Sequence, residues 1–366
     1  MTNPISVLIV DDSTAVRTAF SAIINNDPGL TLFGTAQDPF VAGERMRTEL
    51  PDVILLDIEM PRMDGLTFLK KIMSQCPVPV IVCSSHSQKG SMAAMTALDL
   101  GAAEVLAKPD LATADARNRA AFRISQAVRT AVGSKEPMPM QGGNTDEGRS
   151  DTRVSPEKII AKRPASSRAG SKPLVVIGSS TGGPDALRQV LSGLPRTTPP
   201  IAIVQHMPAE FTGPLARRLN GQSEIEVVEA KTGDVLVPGY AFIAPGDQHL
   251  LINRQGRDYV AQVVGGPYVA RHRPSVDVLF RSAAQAAGQN AMGMILTGMG
   301  DDGATCLGEI RASGGYTVAQ NEESCIVYGM PRSAVEAGAV DKILPLSRMT
   351  SEIVQWTSQK SHKAAG

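Results

Sequence analysis

Residues 175–187 read "VVIGSSTGGPDAL". An apolar run enters a cluster of small residues and leaves through Pro, Asp and Ala, the pattern of a strand, a tight turn and a helix start. Within it, Gly178-Ser179-Ser180-Thr181-Gly182 matches G-x-S-x-G, a turn that lifts a serine above a sheet edge. Small neighbours are required because bulk would block the turn or the approach of a substrate. An anion site or a plain chain reversal would also use such residues, but neither G-x-G-x-x-G nor G-K-[ST] occurs in this stretch.

The same rhythm continues on either side. From Pro173 onwards "LVVIGSS", "IAIVQHM", "AMGMILTGMG" and "GYTVAQ" read as strands, and "DALRQVLSGL", "SVDVLFRSAAQAAG" and "DDGATCLGEIRASG" as helices. Between Glu224 and Val264, "EVVEA", "GYAFIAPG" and "HLLINR" predict hairpins or an antiparallel edge. Upstream, "ISVLIV", "TLFGTA", "DVILLD", "VPVIVCS" and "AEVLAK" alternate with amphipathic stretches such as "GLTFLKKIMSQ". Near-continuous Val/Ile/Leu runs suit parallel strands covered on both faces. The fold class is therefore α/β twice over: a flavodoxin-like five-stranded parallel sheet over 1–133, and a larger doubly wound domain over 173–360 with a mostly parallel sheet and an antiparallel hairpin region. Pro, Gly, Ser and charges dominate 134–172, which predicts a flexible linker, and 361–366 is expected to be a frayed end.

Composition narrows the function. The 366 residues, 42% of them hydrophobic, are enough for two packed cores. Lys plus Arg equals Asp plus Glu at 36 each, so no net field draws the chain to nucleic acid or to an anionic membrane. The four cysteines have no C-x-x-C spacing, which favours reduced thiols over a disulfide framework or a zinc site. Neither a signal peptide nor an apolar stretch of the roughly 18 residues a membrane span needs is evident. A cytoplasmic monomer is the expectation.

In an open α/β sheet, chemistry collects at the carboxyl ends of the strands. In the first domain those ends carry Asp11 and Asp12, Asp57, Ser84 and Lys108. Carboxylates gathered there repel one another unless a hard cation such as Mg²⁺ lies between them. The set resembles the receiver domain of response regulators. That resemblance implies Asp57 as phosphoacceptor, Asp11, Asp12 and Asp57 as Mg²⁺ ligands, Ser84 as switch hydroxyl, Lys108 as the phosphate-facing lysine, and a cis peptide before Pro109. Val105 stands where many receivers carry an aromatic switch residue.

In the second domain a serine nucleophile needs a base and a group to orient the base. Of the five histidines, His206 ends the strand after Ser180, whereas His86, His249, His272 and His362 lack that placement. "LTGMGDDGA" brings Asp301 and Asp302 to the same edge. Taken singly, His206 reads as a loop histidine satisfied by backbone contacts and the aspartate as a helix cap. Together with "IGSSTGG", "QHMPAEFT", "APGDQHL", "RPSVDVLF" and "YGMP", the domain resembles the catalytic domain of the chemotaxis protein-glutamate methylesterases, the CheB family. The resemblance implies Ser180, His206 and Asp302 as catalytic triad and Thr181 and Met299 near the oxyanion. It further implies hydrolysis of glutamyl methyl esters and deamidation of glutamines on chemoreceptors, without a cofactor, and activation by a histidine kinase that relieves occlusion by the receiver. Ser179 and Asp301 stand where Ala and Asn are frequent in that family. A DNA-binding output domain would instead need a recognition helix and a basic face. A phospho-regulated binding module without turnover is the second rival.

Overall fold

The computed structural model describes residues 3–60, 64–85, 87–109, 113–133, 154–164 and 172–365. The chain divides into two units, residues 1–144 and 145–366.

In the first unit strands and helices alternate: β1 (Ile5–Val10), α1 (Thr14–Asn25), β2 (Leu30–Ala36), α2 (Pro39–Met46), β3 (Val53–Asp57), α3 (Gly65–Gln75), β4 (Val80–Ser84), α4 (Gln88–Asp99), β5 (Glu104–Ala107) and α5 (Ala114–Ala131). Every residue of β3 and β4 is buried, as expected of parallel strands with helices on both faces. The sheet order β2-β1-β3-β4-β5 makes the carboxyl ends of β1, β3, β4 and β5 successive neighbours. That order brings Asp11, Asp57, Ser84 and Lys108 to one rim.

The second unit contains β6 (Leu174–Ser179), α6 (Gly183–Leu191), β7 (Ile201–Gln205), α7 (Ala209–Asn220), β8 (Glu226–Glu229), β9 (Val235–Leu236), β10 (Tyr240–Ile243), β11 (His249–Gln255), β12 (Asp258–Val264), α8 (Val276–Ala287), β13 (Ala291–Ile295), α9 (Ala304–Ala312), β14 (Tyr316–Gln320), α10 (Met330–Glu336), β15 (Lys342–Leu344) and α11 (Leu346–Ala365). Seven strands form one sheet in the order β15-β14-β13-β6-β7-β10-β8, with every pairing parallel. From β6 the chain goes to β7 on one side and later returns to β13 on the other. This is the switch point at which open α/β sheets form their crevice. Leu174, Val176, Val204, Leu279 and Phe280 belong to one buried cluster beneath it. Withdrawing a side chain such as Phe280 from water contributes about 1.5–3 kcal/mol.

Three expectations are corrected. Residues 226–229 and 240–243 are parallel members of the large sheet, and only β9, β11 and β12 form an antiparallel sheet. Between β8 and β10 the chain leaves to pair β9 with β12 and returns in the same direction, so these two strands form no hairpin; the expected hairpin closes instead between β11 and β12, where Gln255 pairs with Asp258. The last helix does not stop at the expected boundary of 360 but runs to Ala365, and Met349, Ile353 and Trp356 bury one face of its earlier turns. Of the expected linker, residues 154–164 pack on the second unit, where Val154, Ile159 and Ile160 lie against Leu251, Val269, Ala270 and Val278. These three apolar residues supply an anchor that average composition conceals.

Candidate active site

Ser180 sits in a turn fastened from three strands. Its N–H donates to the Thr297 carbonyl at 3.0 Å, and the Gly183 N–H donates to the Ser180 carbonyl at 2.8 Å. Gly182 caps α6 at φ +77°, where a Cβ would lie 2.8 Å from Ile326, so both backbone and space demand glycine. Gln205, the buried last residue of β7, accepts from Ser179 Oγ at 2.7 Å and donates through Nε2 to the Ser180 carbonyl at 2.8 Å. Ser179 is thereby committed to the interior. The His206 N–H donates to the Ser179 carbonyl at 3.0 Å, which ties the histidine's backbone to the residue beside Ser180.

His206 Nε2 lies 2.8 Å from Asp302 Oδ2. Asp302 is 1% exposed, yet its oxygens are fully engaged: Oδ1 accepts from Ser275 Oγ at 2.8 Å and the Asp277 N–H at 3.0 Å, and Oδ2 also accepts from the Val276 N–H at 2.8 Å. The carboxylate occupies the N-terminus of α8, where the helix dipole favours negative charge. Burial alone would raise its pKa, but the His206 bond, the histidine charges and the backbone donor outweigh burial and hold it below the usual carboxylate range. A carboxylate accepting from Nε2–H leaves the imidazole lone pair on Nδ1. His206 Nδ1 is buried and has no hydrogen-bond partner, so it is available to take a proton.

Residues outside the expected set complete the surroundings. The rings of His206 and His272 stack with centroids 3.6 Å apart and planes 2° from parallel. His249 Nε2 donates to the Pro267 carbonyl at 2.9 Å, and its Nδ1 accepts the Ser275 N–H at 3.2 Å. Burial lowers the His249 pKa, so it positions Ser275 as a neutral ring. His249 and Ser275 were within the motifs "APGDQHL" and "RPSVDVLF", but position relative to strand ends does not reveal partners on another sheet. Thr181 is buried, and its carbonyl accepts from Thr297 Oγ1 at 3.0 Å. Met299 follows Gly298, where a Cβ would come within 2.7 Å of Ser180 Cβ, so this backbone runs directly against the serine. His86 lies outside the described residues, and His362 lies in α11.

In the first unit, Lys108 Nζ contacts Asp57 Oδ2 at 2.8 Å and Asp11 Oδ2 at 2.9 Å. Asp57 Oδ1 accepts the Glu59 N–H at 3.0 Å, and Asp11 Oδ1 accepts the Ser13 N–H at 2.8 Å. Burial raises the Asp11 pKa against the pull of Lys108. Burial also opposes the Lys108 charge, but the bonds to Asp57 and Asp11 prevail and raise its pKa. Ser84 is buried at the end of β4, and its carbonyl accepts the Lys108 N–H at 2.9 Å, extending the pairing of β4 and β5. The Lys108–Pro109 peptide is not cis, contrary to expectation; the extended pairing already carries Lys108 to the pocket. Asp11, Asp12 and Asp57 offer oxygens within 4.8 Å of one another, an all-carboxylate set that fits a hard divalent cation.

Two family profiles match the chain: the response regulator receiver domain over residues 7–116 and CheB methylesterase over residues 175–353. A "protein-glutamate methylesterase/protein-glutamine glutaminase of group 3 operon" from Cereibacter sphaeroides is 51% identical over 96% of this chain and 94% of its own. The chain belongs to the CheB family. A CheB-family relative of the same description from Rhodopseudomonas palustris is 48% identical over 99% of this chain and 98% of its own. The CheB methylesterase catalytic domain of Thermotoga maritima is 39% identical, with a TM-score of 0.50, over 51% of this chain and 99% of that one. This CheB-family chain is thus a hydrolase carrying a receiver domain. Among its described residues no helix is long and apolar enough to cross a membrane.

Proposed function

We propose that the second unit hydrolyses glutamyl methyl esters, and deamidates glutamines, on chemoreceptors, with Ser180 as nucleophile, His206 as base and Asp302 as its orienting acid. The observation that carries this reading is the His206 imidazole, bonded through Nε2 to a buried carboxylate while Nδ1 has no partner, on a backbone tied to Ser179. Ser180 Oγ attacks the ester carbonyl as its proton passes to His206 Nδ1. The tetrahedral oxyanion is held by backbone N–H groups at Thr181 and Met299, each such donor typically worth about 2.7–4 kcal/mol of barrier. The C–O bond to the methoxy group then breaks, and His206 returns the proton so that methanol leaves. Water, deprotonated by the same base, cleaves the acyl-enzyme to the glutamate carboxylate. With glutamine as substrate the leaving group is ammonia. Asp302 stabilises the imidazolium formed in both halves of the cycle.

Asp57 receives a phosphoryl group from a histidine kinase. Asp11, Asp12 and Asp57 would hold Mg²⁺, which neutralises phosphoryl charge when bound. Lys108, already between Asp11 and Asp57, pairs with the incoming phosphate, and Ser84 reads its presence from the end of β4. Activation requires that phosphorylation stabilise the active and inactive states unequally.

Methanol release from methyl-esterified chemoreceptor membranes, with and without a small phosphodonor and Mg²⁺, tests the proposal. Turnover by the Ser180→Ala protein would refute the assigned nucleophile, and undiminished stimulation of the Asp57→Asn protein would refute the assigned phosphoacceptor.

A further inference from the structure

The described part of the tether is not spent as a spacer. Arg281 in α8, 2% exposed, reaches Glu157 Oε1 at 2.9 Å and the Ile160 carbonyl at 3.4 Å, and Gln285 Nε2 donates to the Ala161 carbonyl at 2.8 Å. The Val154 carbonyl accepts the Ala270 N–H at 3.4 Å. Ile159 packs so closely over Gly266 that a Cβ there would lie 2.4 Å from its Cδ1. Through these contacts the segment grips both α8 and the loop that precedes it.

That loop ends in a tight turn. The Val269 and His272 backbones exchange bonds of 3.0 and 2.8 Å, with Ala270 at φ +48° and Arg271 at φ +69° between them. Two consecutive side-chain-bearing residues in the left-handed region are disfavoured and persist only where surroundings hold them. The product of that turn is His272, whose ring lies flat on His206. Asp302 restrains His206 at one ring nitrogen, but a single hydrogen bond leaves the ring free to tilt. The stacked face removes that freedom.

We propose that residues 154–161 are a positioning brace for the catalytic base: by holding the 269–272 turn they keep His272 on the face of His206 and Nδ1 aimed at the nucleophile. The inference rests on the reading of Ser180, His206 and Asp302 given above. His272 is a positioning residue, not a participant in proton transfer. Small misplacements of a reacting group can cost about a hundredfold in rate, so the brace affects kcat and not substrate binding.

A double-mutant cycle on the full chain tests it, with methanol release from methyl-esterified receptor membranes as readout. His272→Ala is expected to lower kcat by about tenfold or more with KM within about twofold, and His272→Phe, which restores a flat face without a titratable group, to recover most of the loss. Ile159→Ala combined with Ile160→Ala is expected to lower kcat about fivefold in the native background and less than twofold in the His272→Ala background. Equal losses in the two backgrounds, a loss confined to KM, or a Phe variant no better than Ala would overturn the inference. If the double-alanine protein does not fold, Glu157→Gln, which weakens the hold of Arg281, enters the same cycle. Ser180→Ala run in parallel separates the cases: an active Ser180→Ala protein sinks the triad reading itself, whereas an inactive one with an additive cycle sinks only the brace.

Discussion

Asp302 and Asp277 cap each other's helix. The Asp302 carboxylate takes the Val276 and Asp277 N–H groups at the start of α8, and Asp277, within α8, accepts the Cys306 N–H at 2.9 Å in the first turn of α9, which follows Asp302. The two helices are therefore locked through the residue that faces His206. Burial, and then the Asp302 charge, push the Asp277 carboxyl up to about 7, while Asp302 is held low by His206. The pair divides into one carboxylate that stays charged and one that gives up its proton only as pH rises through about 7.

Asp302→Asn is expected to lower kcat by roughly 10⁴-fold, because the amide presents a donor or a weak acceptor to Nε2 and disturbs the tautomer that leaves Nδ1 unprotonated. Steady-state methanol release, compared with the unfolding midpoint of the same protein, separates this effect from the lost helix cap.

Asp277 makes stability depend on pH in a defined direction. Its folded pKa lies above the ordinary 3.8, so the folded state binds the proton more tightly than the unfolded chain. Its contribution is full below about pH 4 and declines as pH rises through about 7. Urea titrations at pH 5 and pH 8 should show this decline in the native protein and a smaller one in Asp277→Asn.

The two adjacent serines should separate cleanly. Ser180→Ala is expected to abolish turnover, whereas Ser179→Ala should remain active but lose about 1–3 kcal/mol of stability, since buried Gln205 Oε1 is left without the Ser179 hydroxyl. Denaturant midpoints and methanol release on both proteins check this, and a dead Ser179→Ala protein of native stability would reverse the assignment.

Removing divalent metal with a chelator should prevent phosphodonor-dependent stimulation while leaving unstimulated hydrolysis in place. Asp57→Asn should reproduce that pattern in the presence of Mg²⁺. Lys108→Ala is expected to retain metal binding but lose stimulation, because the contacts at 2.8 and 2.9 Å that couple it to Asp57 and Asp11 disappear.

Periodicity made twelve strands readable: the five of the first unit, and β6, β7, β8, β10, β11, β13 and β14. Hydrophobic runs in parallel strands leave a continuous local signature. The pairing of β8 with β10 was not legible, because parallel against antiparallel pairing depends on where the chain goes between two strands. Likewise His206, at a strand end, could be selected locally, whereas His272 and His249 gain their contacts only through a turn and a sheet distant from the strands that carry Ser180, His206 and Asp302.

The order of residues alone determined that a serine, a histidine and an aspartate would stand at strand ends, because strand and turn propensities act over a few neighbours. Which ring nitrogen meets Asp302, which serine turns inward, and what lies on the other face of His206 were decided only when segments 26 to 124 residues apart closed on one another. Those choices belong to long-range packing and hydrogen bonding, in which each partner is satisfied by a group that its own stretch of chain does not contain.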